Sequence, residues 1–184
     1  YGVAHSVLDY RAMLADPDIH AVAVCTDHAS HAEIACAALM AGKHVLCEKA
    51  LAASRRGLDA MQHAAEHAAG VVNAGVFQHR FTPINRVLRT WMQSGALGQS
   101  LTAGVQIRCL RTCEYYEGDA WRGTWQGEGG SVMMNQAIHF VDLLAWLCGG
   151  VQAVCGWHDN LTHGASMETE DTAVAALKFR SGAL

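Results

Sequence analysis

The sequence predicts an α/β fold in two parts: a piece of a parallel, helix-flanked sheet, then an α+β region with a mainly antiparallel sheet. Three observations carry this reading. A nearly all-apolar run, Ile19-His20-Ala21-Val22-Ala23-Val24, is followed by a loop, an Ala-rich helical stretch and a second short apolar run, His44-Val45-Leu46-Cys47. Strand, loop, helix and strand in that order make a βαβ unit, and strands this apolar suit a buried parallel sheet. After about residue 79 the pattern changes to longer segments, Ser100 to Leu110, Val151 to His158 and Thr169 to Phe179, that read as antiparallel strands.

Composition narrows the possibilities. At 184 residues, 51% hydrophobic and 16% charged, the chain can bury a core in one or two domains. A net charge of -4 with no basic face argues against nucleic acid as the main partner. Polar residues break every apolar run short of about 18 residues and no signal peptide opens the chain, so no membrane partner is expected and a cytoplasmic location is the default. Seven cysteines, odd in number and without a Cys-x-x-Cys pair, read as buried free thiols rather than disulfides or a zinc site. The chain opens at Tyr1 and closes on Arg180-Ser181-Gly182-Ala183-Leu184, which reads as a turn into another strand; the expectation is a fragment of a longer protein.

The elements follow in order. Asp9 caps a short helix through Leu14, and Asp16-Pro17-Asp18 breaks it before the first strand. The loop Cys25-Thr26-Asp27-His28-Ala29-Ser30-His31 leads into a helix through Ala41, with Ile34, Ala38 and Ala41 inward. Gly42 suits a left-handed helix stop, so the chain turns into the strand His44 to Cys47 and leaves Glu48 and Lys49 at its carboxyl end. In an open parallel sheet that end faces the ligand crevice, where a lysine can donate to a substrate oxygen.

Ser54 caps the next helix, with Leu58, Met61, Ala65 and Ala68 inward and His63, Glu66 and His67 outward. Read literally, His63-Ala64-Ala65-Glu66-His67 is a zinc-hydrolase pattern, but on a solvated face it reads better as a surface histidine pair, and no metal is expected. Gly70 ends that helix before the strand Val71 to Val76, and Pro83 starts a helix reaching about Ser94. The irregular stretch Arg111 to Gly130 holds Tyr115, Tyr116, Trp121, Arg122 and Trp125, which fits either a lid over a sugar or an aromatic hinge. Gly129-Gly130-Ser131 then starts a helix to about Leu147 that places Asn135, His139 and Asp142 on one face.

Several of these stretches resemble one family. Gly42-Lys43-His44-Val45 followed by Glu48-Lys49 is similar to the signature of the Gfo/Idh/MocA oxidoreductases, NAD(P)-dependent enzymes acting mostly on sugars, inositols and related polyols. Thr26 and His31 match that family's Thr-Pro-Asn-x-x-His loop beside the nicotinamide, with Asp27 and His28 as departures. Gly129-Gly130 through Asn135, His139 and Asp142 resembles its Gly-Gly-Gly-x-Leu-x-Asp-x-Gly-x-His-x-x-Asp stretch, with Asn135 in place of aspartate. Ala50 stands where the family has a proline whose preceding bond is typically cis. Because a cis bond before a non-proline residue costs ~2.5–4 kcal/mol, the expectation here is a trans or strained bond.

The resemblance implies residues 1-78 as the C-terminal part of an NAD(P)-binding Rossmann domain and residues 79-184 as a truncated substrate-binding domain. It implies cofactor contacts, to NAD or NADP, at Thr26, His28, His31, Glu48, Lys49, Gln78, Trp121 and Arg122, and substrate contacts at Lys49, Arg80, Asn135 and His139. Lys49, His139 and Asn135 are the implied catalytic set. His139 takes the hydroxyl proton, Lys49 polarises its oxygen, and Asn135, which cannot take a proton, orients substrate. An ordinary imidazole, titrating near ~6.5, suits that work, and a nearby lysine would favour its neutral form. Asp142 either orients the His139 ring or is a buried structural acid. Asn135-Gln136 and Trp121-Arg122-Gly123-Thr124-Trp125 are most similar to members acting on nucleotide-linked sugars or inositols.

The glycine-rich phosphate turn of such domains is expected upstream. The substitutions at Asp27, Ala50 and Asn135 keep open a regulatory NAD(P)-binding protein, and glycoside cleavage by transient oxidation is a further reading. The complete protein is expected to form homo-oligomers.

Overall fold

The computed structural model describes residues 2–3 and 5–184, so the expected domain start at Tyr1 lies outside the described residues. The chain divides into two compact units, one ending at Val76 and the other running Phe77–Leu184.

The first unit is a parallel sheet of β1 (Ala21–Val24), β2 (His44–Cys47) and β3 (Asn73–Gly75), in that order. Val22 lies opposite Val45, and Leu46 opposite Ala74. α1 (Tyr10–Leu14) is capped by the Asp9 carboxylate, which accepts from the Arg11 amide. Crossovers run through α2 (His28–Met40) and α3 (Arg55–His67), the latter capped by Ser54 on the Gly57 amide. Gly42, at φ +73°, stops α2, and the Lys43 amide returns to the Ala38 carbonyl at 3.0 Å. Buried Lys43 spends its ammonium on the Asp16 carbonyl at 2.7 Å.

The core is one-sided. Val22, Val24, Val45 and Cys47 are buried against Ala35, Ala38, Leu39, Met61 and Ala64, whereas Ala21, Ala23, His44 and Leu46 face outward. The inner face of α2 is shifted, with Ala35 and Leu39 buried and Ala41 exposed. Apolar residues surround that helix, so their spacing carries no direction. On α3, Met61 and Ala64 are buried while Leu58 is exposed. His63, Glu66 and His67 lie outside as expected. The ring of His67 bonds the His63 carbonyl at 2.8 Å, and among the described residues no group of side chains is arranged to hold a metal ion.

The second unit begins with a 3-10 turn, Gln78–Phe81, and α4 (Pro83–Gln93), with Pro83 at its start. α5 (Cys113–Glu117) interrupts the irregular stretch, and α6 (Ile138–Cys148) ends at Gly149 in the left-handed conformation. Arg89 of α4 donates to the carbonyls of Trp146 and Leu147, placing a cation at the negative end of α6. β4 (Val151–Asp159) and β5 (Thr172–Phe179) pair antiparallel, with a bulge between Val151 and Ala153. The expected strand Ser100 to Leu110 is not formed. Leu101 and Ala103 each bond the backbone of Leu184, the only such pairing of this stretch among the backbone bonds of the described residues.

The expectation of buried cysteines changes in part. Cys47 and Cys148 are buried, but Cys25, Cys109, Cys113 and Cys155 are exposed; all are free. Within the second unit, the Gly123 carbonyl of the aromatic stretch accepts from the amides of Glu168 and Thr169. Gly123 has φ +66°, and a side chain there would run into Met167. Among the described residues no helix is long and apolar enough to cross a membrane.

One acid ties the loop before β5 together. Asp171 accepts from the amides of Leu161, Thr162 and His163, from the hydroxyls of Thr162 and Thr172, and from the His163 ring at 2.9 Å. The other nitrogen of that ring bonds the Arg111 carbonyl at 2.9 Å. Burial works against ionisation of Asp171, but these donors hold it well below the usual carboxylate range. The Asp171 carboxylate, followed by the Arg111 carbonyl, raises His163. The histidine's contribution to stability is therefore full below its unfolded pKa of ~6.5 and fades as pH rises through the raised folded value. The contribution of Asp171 is present above ~3.9 and is lost toward acid. Asp171→Asn is expected to cost ~1–3 kcal/mol and to flatten the decline in thermal midpoint above pH ~6.5; an unchanged pH profile would contradict this account.

Candidate active site

In the first unit the sheet itself gathers the candidates. The Glu48 amide donates to the Val24 carbonyl at 2.9 Å and the Val76 amide to the Cys47 carbonyl at 2.8 Å, so neighbouring strands end at one edge. Thr26 follows β1 there, and Glu48 and Lys49 follow β2, the central strand. Glu48 and Lys49 are both half-buried, and the Glu48 carboxylate accepts from the Lys49 amide at 3.2 Å. Just below them, burial pushes the Cys47 thiol up to about 12, so it carries no thiolate chemistry.

The departures from the family pattern have local explanations. Asp27 is the N-cap of α2. Partial burial works against its ionisation, but the Ser30 hydroxyl and the Ser30 amide hold its carboxyl below the usual range. The Ser30 hydroxyl oxygen in turn accepts from the Thr26 hydroxyl at 2.7 Å, which orders the loop after β1. The bond between Lys49 and Ala50 is cis, not trans.

His31 and His28 occupy α2 rather than a loop, and both are buried. His31 has no exposed surface; its Nδ1 is 2.7 Å from the Ala50 carbonyl oxygen and its Nε2 is 3.0 Å from that of Thr26. A ring so enclosed cannot touch a cofactor. The expected contact at His31 is therefore corrected: the side chain is a strut between the two loops that carry Thr26 and Lys49. His28, 3% exposed with its ring 5.8 Å from that of His31, offers a ligand no more than an edge.

In the second unit the expected α-helix from Ser131 is a π-helical turn, Val132–Ala137, that passes into α6. The wider turn breaks the simple i, i+4 relation of Asn135 to His139. Glu170 starts this stretch. One of its carboxylate oxygens accepts from the amides of Ser131 and Met133, both at 3.0 Å, and its carbonyl accepts from Val132. Asn135 is buried and its amide nitrogen donates to Glu128 at 2.6 Å.

The His139 ring is met edge-on by the ring of His79 at 5.3 Å. Asp142 takes a bidentate pair from Arg80, at 2.7 and 2.5 Å. Arg80, expected at substrate, thus uses Nε and Nη2 to tie the 3-10 turn to α6, and the pairing with Asp142 raises its pKa. Gln78 sits on the same turn.

Arg122 pairs with Asp119 at 2.7 Å, donates to the Tyr115 hydroxyl, and lies over the rings of Tyr115 and Trp121. Both Trp121 and Arg122 therefore belong to a stacked aromatic cluster. His79, Glu128 and Glu170 are site neighbours that the sequence did not single out. For Glu128 a signal existed, an acid directly before Gly129-Gly130.

Known proteins place this arrangement. The model of the oxidoreductase family, NAD-binding Rossmann fold, matches residues 1–76, and that of the GFO/IDH/MocA C-terminal domain matches residues 85–184. The chain belongs to the Gfo/Idh/MocA family. Within that family it is 32% identical over 154 residues to levoglucosan dehydrogenase of Pseudarthrobacter phenanthrenivorans, covering 84% of this chain and 39% of that one. It is 31% identical to 1,5-anhydro-D-fructose reductase of Ensifer adhaerens, covering 100% and 54%.

Among solved structures, the WlbA dehydrogenase from Bordetella pertussis, in complex with NADH and UDP-GlcNAcA, matches at a TM-score of 0.88 and 34% identity. That alignment covers 95% of this chain and 49% of the other. The chain thus spans about half the length of its relatives.

The strut role of His31 can be measured directly. His31→Leu strands the carbonyls of Thr26 and Ala50 and is expected to cost ~1–3 kcal/mol in urea unfolding. Stability equal to wild type would show that the ring holds nothing.

Proposed function

We propose that the complete protein is an NAD(P)-dependent dehydrogenase of a carbinol carbon in a sugar, nucleotide-linked sugar or inositol-like polyol. The observation that carries this reading is Lys49, half-buried at the carboxyl end of the central parallel strand, in a chain of a family whose model is an NAD-binding Rossmann fold. The residues around it fit a nicotinamide: Thr26 is ordered by Ser30, and the Thr26 and Lys49 loops are fixed to each other through His31. Thr26, Glu48 and Lys49 would hold that end of the cofactor, which supplies a hydride acceptor when bound.

The chain's own groups do the rest. The Lys49 ammonium donates to the substrate oxygen and stabilises the charge that grows there as the hydroxyl proton leaves. His139, on the first turn of α6, takes that proton. Asn135 has no acid–base chemistry and orients the substrate. Residues 1–76 serve the cofactor and the second unit the substrate. Nucleotide-linked sugars and levoglucosan-like sugars are both candidate classes. The WlbA relatives at 34% and 35% identity were crystallised with UDP-GlcNAcA, and levoglucosan dehydrogenase is 32% identical over 84% of this chain.

The test uses the full-length protein with NAD or NADP and a panel of UDP-GlcNAcA, levoglucosan and myo-inositol, following NADH or NADPH absorbance. Turnover of at least one compound is expected. Lys49→Ala should lower kcat/KM by roughly 10²–10³-fold and weaken NADH binding. Reduction of neither cofactor with any compound, or turnover indifferent to Lys49→Ala, would overturn the reading.

A further inference from the structure

Both nitrogens of the His163 ring face oxygens that only accept. Nδ1 lies 2.9 Å from a carboxylate oxygen of Asp171, and Nε2 lies 2.9 Å from the Arg111 carbonyl oxygen. The Thr162 hydroxyl also reaches Nδ1, at 2.8 Å, but its single proton goes to the same Asp171 oxygen, at 2.6 Å. An imidazole serves two acceptors only when both nitrogens carry protons, so this pair of bonds is made by the imidazolium. The neutral ring keeps one of them. Nδ1 holds its proton, because the bond to a carboxylate is charge-assisted and a bare nitrogen there would set its lone pair against the ionised acid. Nε2 is then left bare, and the bond to Arg111 is the one lost.

That bond holds a segment with little else to hold it. Residues 104–111 make no backbone-to-backbone hydrogen bond among the described residues. The Arg111 guanidinium lies over the Tyr115 ring, 5.0 Å from its centroid, and Nη2 donates to the Gln136 side-chain oxygen at 2.9 Å. Gln136 stands next to Asn135 in the Val132–Ala137 turn. His163 thus grips the backbone of the residue whose side chain braces that turn.

We propose that His163 is a positioning residue that works as a pH-operated latch: with both ring protons it ties Arg111 down, and on losing one it releases Arg111 and loosens the brace on the turn that carries Asn135. The latch stands on the geometry of the second unit; its effect on turnover rests on the dehydrogenase reading. The titratable or charged residues that meet the ring are Asp171 before β5, Arg111 through its carbonyl, and buried Tyr116 of α5, edge-on at 5.3 Å. Asp171 ionises well below neutrality and burial raises the Tyr116 phenol, so His163 is the member that changes charge in the neutral range. Asp171, followed by the Arg111 carbonyl, raises the pKa of His163. The latch is therefore closed below ~6.5 and opens as pH rises through the raised value.

Two substitutions separate the two bonds. Asparagine carries its amide nitrogen near the Nδ1 position, toward Asp171, and ends short of Arg111; glutamine carries its nitrogen near the Nε2 position, toward Arg111. His163→Asn is therefore open, and His163→Gln closed, at every pH. The experiment is limited digestion of the full-length protein with trypsin, which at Arg111 must attack the very carbonyl that His163 holds. Cleavage after Arg111 is divided by that of a synthetic peptide of residues 105–117 at the same pH, which cancels the protease's own pH dependence. Wild type is expected to match His163→Gln at about pH 6 and to approach His163→Asn by about pH 9, a rise of roughly 2- to 10-fold for one hydrogen bond. With the panel compound that wild type oxidises fastest, KM should move between the two variants over the same range while kcat stays nearer constant. A merely structural histidine would give two variants impaired alike at every pH. Normalised cleavage that ignores pH, or a wild-type KM that does not pass from the glutamine to the asparagine variant's value, would overturn the proposal. Should a variant fail to fold, the wild-type cleavage profile decides the latch. Should wild type oxidise nothing in the panel, the dehydrogenase reading falls, and cleavage after Arg111 still decides the latch.

Discussion

In-step parallel pairing of β1, β2 and β3 is the constraint on which the first unit depends. Parallel strands must all end on the same side, so a short chain segment after each one is delivered to a common edge. Thr26 and the Glu48-Lys49 pair reach that edge because β1 and β2 stop opposite each other, at Val24 and Cys47. What the pairing leaves loose, His31 secures from beneath by bridging the Thr26 and Ala50 carbonyls. A buried histidine between two loops is a more durable way to hold a lysine than an exposed ligand contact, since no ligand is needed to keep it in place.

The second unit is organised by buried acids. Glu170 captures the free amides at the start of the Val132–Ala137 turn, Glu128 fixes the amide of Asn135, and Asp142 anchors the 3-10 turn through Arg80. Each carboxylate is satisfied by two or more donors, which is what allows charge to sit in a low-dielectric interior. The result is a helix start whose residues cannot slide. Such rigidity suits a group that must meet a substrate hydroxyl at a set distance.

Local signals in the sequence were sufficient wherever a few neighbouring residues decide the outcome. Gly42 stopping α2, Ser54 capping α3 and Pro83 opening α4 all follow from backbone preferences and caps. The misses came from partners distant in the chain. Arg80 reads as a free cation until Asp142, 62 residues on, takes it. His31 reads as a loop ligand until Ala50 folds over it. The face of α2 was unreadable because its apolar residues surround it, and a strand at Ser100 to Leu110 needs a neighbouring edge that spacing alone cannot supply. The bond from Asn135 to Glu128, seven residues before it, depends on the turn between them, and that is a property of the fold.

Hydride transfer from a carbinol carbon is the centre of this account, and isotope tracing tests it most directly. The full-length protein would be incubated with NAD(P) and its panel substrate deuterated at the carbinol carbon, and the product nicotinamide read by mass spectrometry and proton NMR. The account predicts one deuterium at C4 of the reduced nicotinamide, on a single face, with a slowed rate. Reduced cofactor without deuterium at C4, or deuterium lost to water with no reduced cofactor, would contradict it.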